Sequence, residues 1–385
     1  MVKREAEKLL RSLAKQFRAV AVVGPRQSGK TTLVKEVFPR KPYVSLEDPD
    51  ERLFATQDAR AFLSRYPKGA IIDEVQRVPE LFSYLQKILD NTRQDGLFIL
   101  TGSNNFLLQE NISQTLAGRV GYIDLLPFTY AEVTQYKKNL STDELILNGF
   151  YPEIYDRQRK PGLWYPAYIR TYIERDVKQI KNISNTILFN KFLKLCAGRT
   201  SQQINLSALS SDAGVDIKTV QSWISILESS FVIFLLAPYH KNFNKRLVKT
   251  SKLYFYDTGL ACSLLGIKSS NEVSTSHFKG ALFENLVIAE CLKQRMAKGL
   301  DKSISYWRDN KGVEIDLVLQ TSREVLPIEI KSAKTFANDF VRNIHVWNDW
   351  ANNKGGLVVF DGDAEMERSN NITVSNWKNM KINKR

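Results

Sequence analysis

Histidine and cysteine are scarce in this 385-residue chain, with three of each. Cys196, Cys262 and Cys291 are odd in number and widely spaced, which excludes a disulfide framework and a zinc site built on paired cysteines. His240, His277 and His345 are too few for a histidine-rich metal centre. Long apolar runs are also missing. The longest, FVIFLLA at 231–237, is far short of the roughly 20 residues that cross a bilayer. The opening MVKREAEKLL is charged from residue 2 and shows neither the apolar stretch nor the small-residue cleavage site of a secretory signal. A membrane partner is therefore not expected, and a reducing, cytoplasmic setting fits. No internal repeat and no low-complexity tract is visible. The composition, 43% hydrophobic and 25% charged, is that of a globular chain with enough residues for two or three domains.

The charge is unevenly spread. A formal net charge of +14 favours an acidic partner. Residues 151–250 hold 15 basic and 7 acidic side chains, whereas the segments on either side each carry a surplus of three. Within that middle hundred, 240–252 (HKNFNKRLVKTSK) brings Lys241, Lys245, Arg246, Lys249 and Lys252 together without an acid.

The first third alternates short apolar strands with helical patterns, which predicts a mostly parallel sheet. AVAVV at 19–23 reads as a buried strand, and GPRQSGKTT follows at 24–32. This is the phosphate-loop pattern G-x-x-x-x-G-K-[ST] in the strand–loop–helix setting it requires. Gly24 and Gly29 permit backbone geometry that turns successive N–H groups toward phosphate, with Pro25, Arg26, Gln27 and Ser28 completing the loop. Lys30 reaches the β and γ oxygens, the Thr31 hydroxyl completes an Mg²⁺ shell, and Thr32 lies in the first helical turn. GAIIDE at 69–74 ends a second apolar strand in two carboxylates. Asp73 is the expected Mg²⁺ ligand and Glu74 the base that polarises the attacking water. LFILT at 97–101 runs into GSNN, where Ser103 or Asn104 is placed to sense the γ-phosphate.

GPRQSGKTT, YVSLED (43–48), IIDEVQRVPELF (71–82), LTGSNN (100–105) and LAGR (116–119) together resemble the ATPase domain of a widespread prokaryotic AAA+-type group. Members of that group carry a C-terminal domain of unknown function. YIERDV (172–177), NKRLVKTSKLYFYDTGL (244–260) and FENLV (283–287) resemble that partner, as does the segment around VEIDLVL and IEIKSA. The resemblance implies ATP binding and hydrolysis, and it assigns Arg119 as an arginine that contacts nucleotide in the same subunit or a neighbour. No second-sensor arginine is recognisable, so ring, dimer and monomer stay open.

In the middle, NLSALSSDAGVDIKTVQSWISILES (205–229) places Leu206, Leu209 and Ala213 on one helix face. Gly214 stops that helix, Asp216 caps a second, and Val220, Trp223, Ile224 and Leu227 recur at helical spacing. This is a helix-turn-helix pattern. Residues 231–236 and 253–256 supply two strands of a wing with the basic run as its tip. In the DNA-binding reading, Lys218, Thr219, Gln221 and Ser222 face a groove while Lys241, Lys245, Arg246, Lys249 and Lys252 hold phosphates. Five such contacts give a log–log salt slope of roughly −4 to −5. The alternative is a packing module that binds a protein partner. The aromatic residues among the basic ones at 150–175 read as lid packing.

The last third carries a second constellation. ALFENLVIAECLK (281–293) reads as a helix containing Glu284. Two strand-like runs joined by a hairpin place Asp316 on one strand and Glu329 with Lys331 on one face of the next. Carboxylates so placed hold Mg²⁺, and the lysine orients or deprotonates water. The arrangement resembles the PD-(D/E)xK nuclease core, with Ile315 in place of the motif's proline, Glu284 and Glu329 as further metal ligands beside Asp316, and Glu314 as an accessory acid.

The expectation is therefore an α/β P-loop NTPase domain of ASCE/AAA+ type at 1–135, a helical connector at 136–200, a winged helix-turn-helix at 201–265 and a nuclease-like α/β domain at 275–385. The expected activity is Mg²⁺-dependent ATP hydrolysis that controls a DNA-binding, nuclease-like half. The rival is an ATP-dependent switch whose nuclease fold is catalytically inactive and recognises protein.

Overall fold

The computed structural model describes residues 2–102, 112, 115–173, 185–240, 250–320, 324–368 and 370–380. Strands β1 (Ala19–Val23), β2 (Tyr43–Ser45), β3 (Ile71–Asp73), β4 (Phe98–Gly102) and β5 (Val120–Asp124) form one sheet in the order β2-β3-β4-β1-β5. All its pairings are parallel. Every residue of β1 is buried, because helices cover both faces and leave no polar side to alternate with. Val20 and Val22 pack with Leu33, Val34 and Val37 of the helix Lys30–Val37. Ala19 and Val23 belong to the core that includes Leu81, Leu85 and Leu89 of the helix Leu81–Asn91. Since β4 lies between β1 and β3, the loop that leaves β1 and the carboxylate that ends β3 open onto the same end of the sheet.

The middle of the chain begins with the helix Thr186–Ala197, then the helices Leu206–Ala213 and Ile217–Ser229. Gly214 closes the first of the pair with φ +77°, a left-handed conformation in which a side chain would be strained. The Asp216 carboxylate accepts the Thr219 N–H at 2.9 Å and starts the second. Three antiparallel strands, β6 (Gln202–Gln203), β7 (Ile233–Leu236) and β8 (Lys252–Phe255), lie in the order β6-β8-β7; β7 and β8 match the two strands expected at 231–236 and 253–256, and β6 is an addition to them. The apolar run 231–237 thus supplies a buried strand.

Six strands build the last sheet: β9 (Ile304–Arg308), β10 (Glu314–Gln320), β11 (Val325–Lys331), β12 (Gly356–Phe360), β13 (Met366–Arg368) and β14 (Ile372–Asn376). Their order is β13-β14-β12-β11-β10-β9. β10 and β11 form the expected hairpin, while β11, β12 and β14 run parallel. The register of β10 against β9 shifts between Ile315 and Val318, a bulge that redirects Asp316. Ile344 and Trp347 of the helix Arg342–Ala351 pack on Ile315, Val318 and Phe360.

The helix Lys279–Ala297 ties these parts together. It is buried along most of its length, including Asn285, Glu290, Lys293 and Arg295. The Asn285 side chain accepts the Phe255 N–H at 2.7 Å and donates to the Phe255 carbonyl at 2.8 Å, continuing β8 as another strand would. Eight residues on, Lys293 Nζ donates to the Phe128 carbonyl at 3.2 Å and lies 3.7 Å from the centre of the Phe150 ring. Glu290 accepts the Tyr130 N–H at 3.0 Å. Cys196, Cys262 and Cys291 are free and buried, and burial pushes their thiols up, Cys196 and Cys291 to about 12. Asn285→Leu leaves the N–H and carbonyl of Phe255 buried without partners. It is expected to destabilise the chain by about 2–4 kcal/mol, seen as a lower unfolding midpoint in urea.

Candidate functional site

The phosphate loop follows β1 directly. Gly24 has φ +149°, and a Cβ there would lie 2.1 Å from the Leu125 carbonyl oxygen, so no side chain fits. Gln27 and Gly29 also have positive φ, +60° and +91°. Left-handed residues interleaved with right-handed ones are what curl successive N–H groups into an anion nest. Lys30, the first residue of its helix, is buried, and its ammonium donates to the carbonyls of Gly24 (2.9 Å) and Pro25 (2.8 Å). The Ser28 hydroxyl is fully buried without a hydrogen-bond partner. Such an orphaned donor within a nest fits a loop built to receive phosphate oxygens.

Across the sheet end, Asp73 is held by three hydroxyls. Thr31 Oγ1 donates to its Oδ2 at 2.9 Å, Tyr43 OH to the same oxygen at 2.8 Å, and the buried Thr101 hydroxyl to Oδ1. Thr31 and Asp73 are the pair that would hold Mg²⁺, and the structure places them in contact. Burial and the charge of Asp73 raise the Tyr43 hydroxyl above its ordinary range, so it remains a donor. Glu74 follows with φ +55° and ψ +42°, uncommon for a residue with a Cβ and costing on the order of 1 kcal/mol or more. Gln76 Nε2 donates to Glu74 Oε2 at 2.6 Å. The strain therefore aims a carboxylate that Gln76 restrains.

A cavity of about 330 Å³ lies over these groups, lined by Lys30, Thr31, Asp73 and Glu74 on one wall and by Arg4, Phe128, Tyr136 and Pro152 on the other. Its size suits a small-molecule ligand. Arg4 donates to the carbonyls of Ser28 and Leu126, both at 2.7 Å, and its Nε lies 3.0 Å from Glu132. Sequence reasoning missed Arg4, Thr101, Tyr43 and Gln76. Thr101 and Tyr43 stood inside recognised strings, but nothing marks Arg4, whose carbonyl partner Leu126 is 122 residues away.

Of the two placements open to Arg119, the same subunit or a neighbour, the geometry disfavours the first. Arg119 precedes β5 at the end of the sheet away from the phosphate loop, since Ala19 pairs with Val120 while Val23, beside the loop, pairs with Asp124. Its guanidinium is paired with Asp90, away from the phosphate loop of its own chain. Ser103 and Asn104 lie outside the described residues, as do Lys241, Lys245, Arg246 and Lys249. Lys218 is exposed on the second helix of the pair.

The second acidic group is brought together, though not as a metal site. Lys331 Nζ lies 2.6 Å from Glu329 and 3.8 Å from Asp316, whose Oδ2 accepts the Ile330 N–H at 2.8 Å. Lys252, expected to grip DNA phosphate, is instead 3% exposed, with Nζ 3.0 Å from Glu284 and 2.5 Å from Glu314. It is too deeply buried and too fully paired to reach a phosphate. Burial, opposed by Lys252, raises Glu284 to about 7, and burial with the charge of Asp316 raises Glu329 to about 8. Among the described residues no three Asp, Glu, His or Cys side chains are grouped to hold a metal ion. The three-carboxylate ligand set of Glu284, Asp316 and Glu329 does not fit a metal in this arrangement, because lysine ammonium groups stand among the carboxylates.

Residues 16–134 match the family described as "AAA domain". The N-terminal third is an AAA-type P-loop domain. Residues 139–271 and 279–380 match two domains of unknown function, DUF8612 and DUF4143. The chain is similar to the uncharacterized protein Rv2008c of Mycobacterium tuberculosis, with 29% identity covering 86% of this chain and 74% of the relative. It is also similar to the uncharacterized protein MJ1544 of Methanocaldococcus jannaschii, with 23% identity covering 80% and 73%. Among solved structures, a Walker-type ATPase, PABY2304 of Pyrococcus abyssi, aligns with TM-score 0.46 and 15% identity over 68% of this chain and 94% of that one. AMPPCP-bound DnaA from Aquifex aeolicus aligns with TM-score 0.31 and 13% identity over 58% and 85%. Among the described residues no helix is long and apolar enough to cross a membrane. Lys30→Ala is expected to weaken ATP binding by about tenfold or more through loss of a charge-assisted contact. Arg119→Ala should leave the affinity of the isolated chain within about twofold, both read by titration with a fluorescent ATP analogue.

Proposed function

We propose that this protein is an Mg²⁺-dependent ATPase whose nucleotide state governs a C-terminal half that contacts DNA. The observation that carries the reading is Asp73, oriented by three hydroxyls beside the phosphate loop, with Glu74 next to it. Lys30 and the loop bind the phosphates, and Thr31 with Asp73 holds Mg²⁺, which draws negative charge from the phosphates. Glu74 accepts a proton from the attacking water once it is free of Gln76. Arg119, half-buried at the far end of its own sheet, would act on nucleotide only across a contact between subunits.

The helix Lys279–Ala297 supports the link between the two halves. One end meets Phe128 and Tyr130, which adjoin the Arg4 contacts to the loop. Its other end contributes Glu284 to the acidic cluster. The helix pair and β7–β8 are read as a winged helix, with Lys218 on its exposed face and the remaining basic residues of 241–249 as phosphate ligands. Lys252 leaves that set, so about four contacts remain. The lysine-filled cluster favours the rival reading of the last domain, a nuclease-like fold used for control rather than cleavage.

Glu74→Gln should bind ATP as wild type does and lose turnover by about 10²-fold or more, measured as phosphate release. Filter binding to duplex DNA should show a log–log salt slope of about −4. Weak, salt-insensitive binding would instead point to a protein partner.

A further inference from the structure

The acidic cluster lies where β8 of the small sheet meets β10, β11 and the helix Lys279–Ala297. Four carboxylates converge there, from Glu284, Glu314, Asp316 and Glu329, and two lysines stand among them. The more buried is Lys252. Its ammonium lies between Glu314 Oε1 at 2.5 Å and Glu284 Oε1 at 3.0 Å, and Tyr254, two residues on along β8, donates to that same oxygen of Glu284 at 2.5 Å. Carboxylate oxygens hold a divalent cation at about 2.0–2.6 Å. The ammonium therefore occupies the position, between two carboxylates, that such an ion would take.

Lys252 is fixed there by its backbone. β8 is the central strand of its sheet, and Lys252 is paired with Gln203 on one side and Leu236 on the other. Burial by itself would lower the lysine, but Glu284, Glu314 and Asp316 together raise it, so it stays charged. A fully buried lysine is rare unless paired, and this one is supplied by a different sheet from the one that carries Glu314 and Asp316. Beside it, Glu329 is 1% exposed, and its Oε2 is taken up by Lys331 at 2.6 Å.

We infer that Lys252 is a tethered counter-ion that closes the acidic site of the C-terminal domain to divalent metal. This deepens the proposed control role and rests on the nuclease-like reading of that domain. It does not depend on ATP turnover. The small sheet thereby supplies the counter-ion of the site next to it.

The test is Mn²⁺ binding by the full chain, followed through the free-ion electron paramagnetic resonance signal. Lys252→Met should bind one Mn²⁺ per chain more than wild type, adding Glu284→Gln should abolish the gain, and Lys252→Arg should behave as wild type. Lys252→Gln gives the same readout if the methionine variant does not fold, as judged by circular dichroism. A folded Lys252→Met or Lys252→Gln that gains no ion overturns the inference. So does a wild-type chain that already holds an Mn²⁺ lost on Glu284→Gln. Plasmid nicking followed in parallel separates this from the reading beneath it: Mn²⁺ gained without nicking leaves the counter-ion in place and confines the fold to recognition.

Discussion

A helix surrounded by protein must find a partner for each polar group it carries, and the helix Lys279–Ala297 meets that requirement in three directions. Asn285 satisfies the backbone of Phe255, Glu284 meets Lys252 and Tyr254, and Glu290 with Lys293 meets the backbone of Tyr130 and Phe128. The first two hold β8, and the third holds the segment after the ATPase sheet. None can be lost cheaply, since a buried group without a partner costs about 1–3 kcal/mol and more when charged. One helix thus bonds both to the small sheet and to the segment that follows the ATPase sheet.

The nucleotide site shows the same economy on a smaller scale. Asp73 draws on β2, β4 and the helix after the phosphate loop for its three donors. The position of one carboxylate therefore reports the register of the whole sheet edge. Glu74, one residue on, has the opposite character: its backbone is strained, and Gln76 donates to its carboxylate. A rigid ligand beside a restrained base separates holding the metal ion from moving a proton.

Much of this was legible in the sequence wherever chemistry is local. The phosphate loop, the strand ending in Asp73 and Glu74, the Gly214 stop, the Asp216 cap and the β10–β11 hairpin each depend on residues within a few positions of one another. What could not be read depends on distance along the chain. Lys252 sits in a run of basic residues, and nothing in that run says that one of them turns inward to meet Glu314. Arg119 lies in a string shared with nucleotide-binding proteins, yet the parallel register carries it to the far edge of the sheet. Arg4 has no local signal at all, because its partners, two backbone carbonyls and Glu132, are brought near only by folding.

The buried cysteines carry a practical consequence. A thiol whose ionisation is pushed to about 12 is almost entirely protonated at neutral pH, and only the thiolate attacks an alkylating dye. Cys196, Cys262 and Cys291 are thus poor targets twice over, hidden and in the wrong protonation state. A cysteine introduced on an exposed face would take a maleimide probe with the native three left in place. The relative motions of the three sheets can be followed by fluorescence without first stripping the protein of its own sulfur.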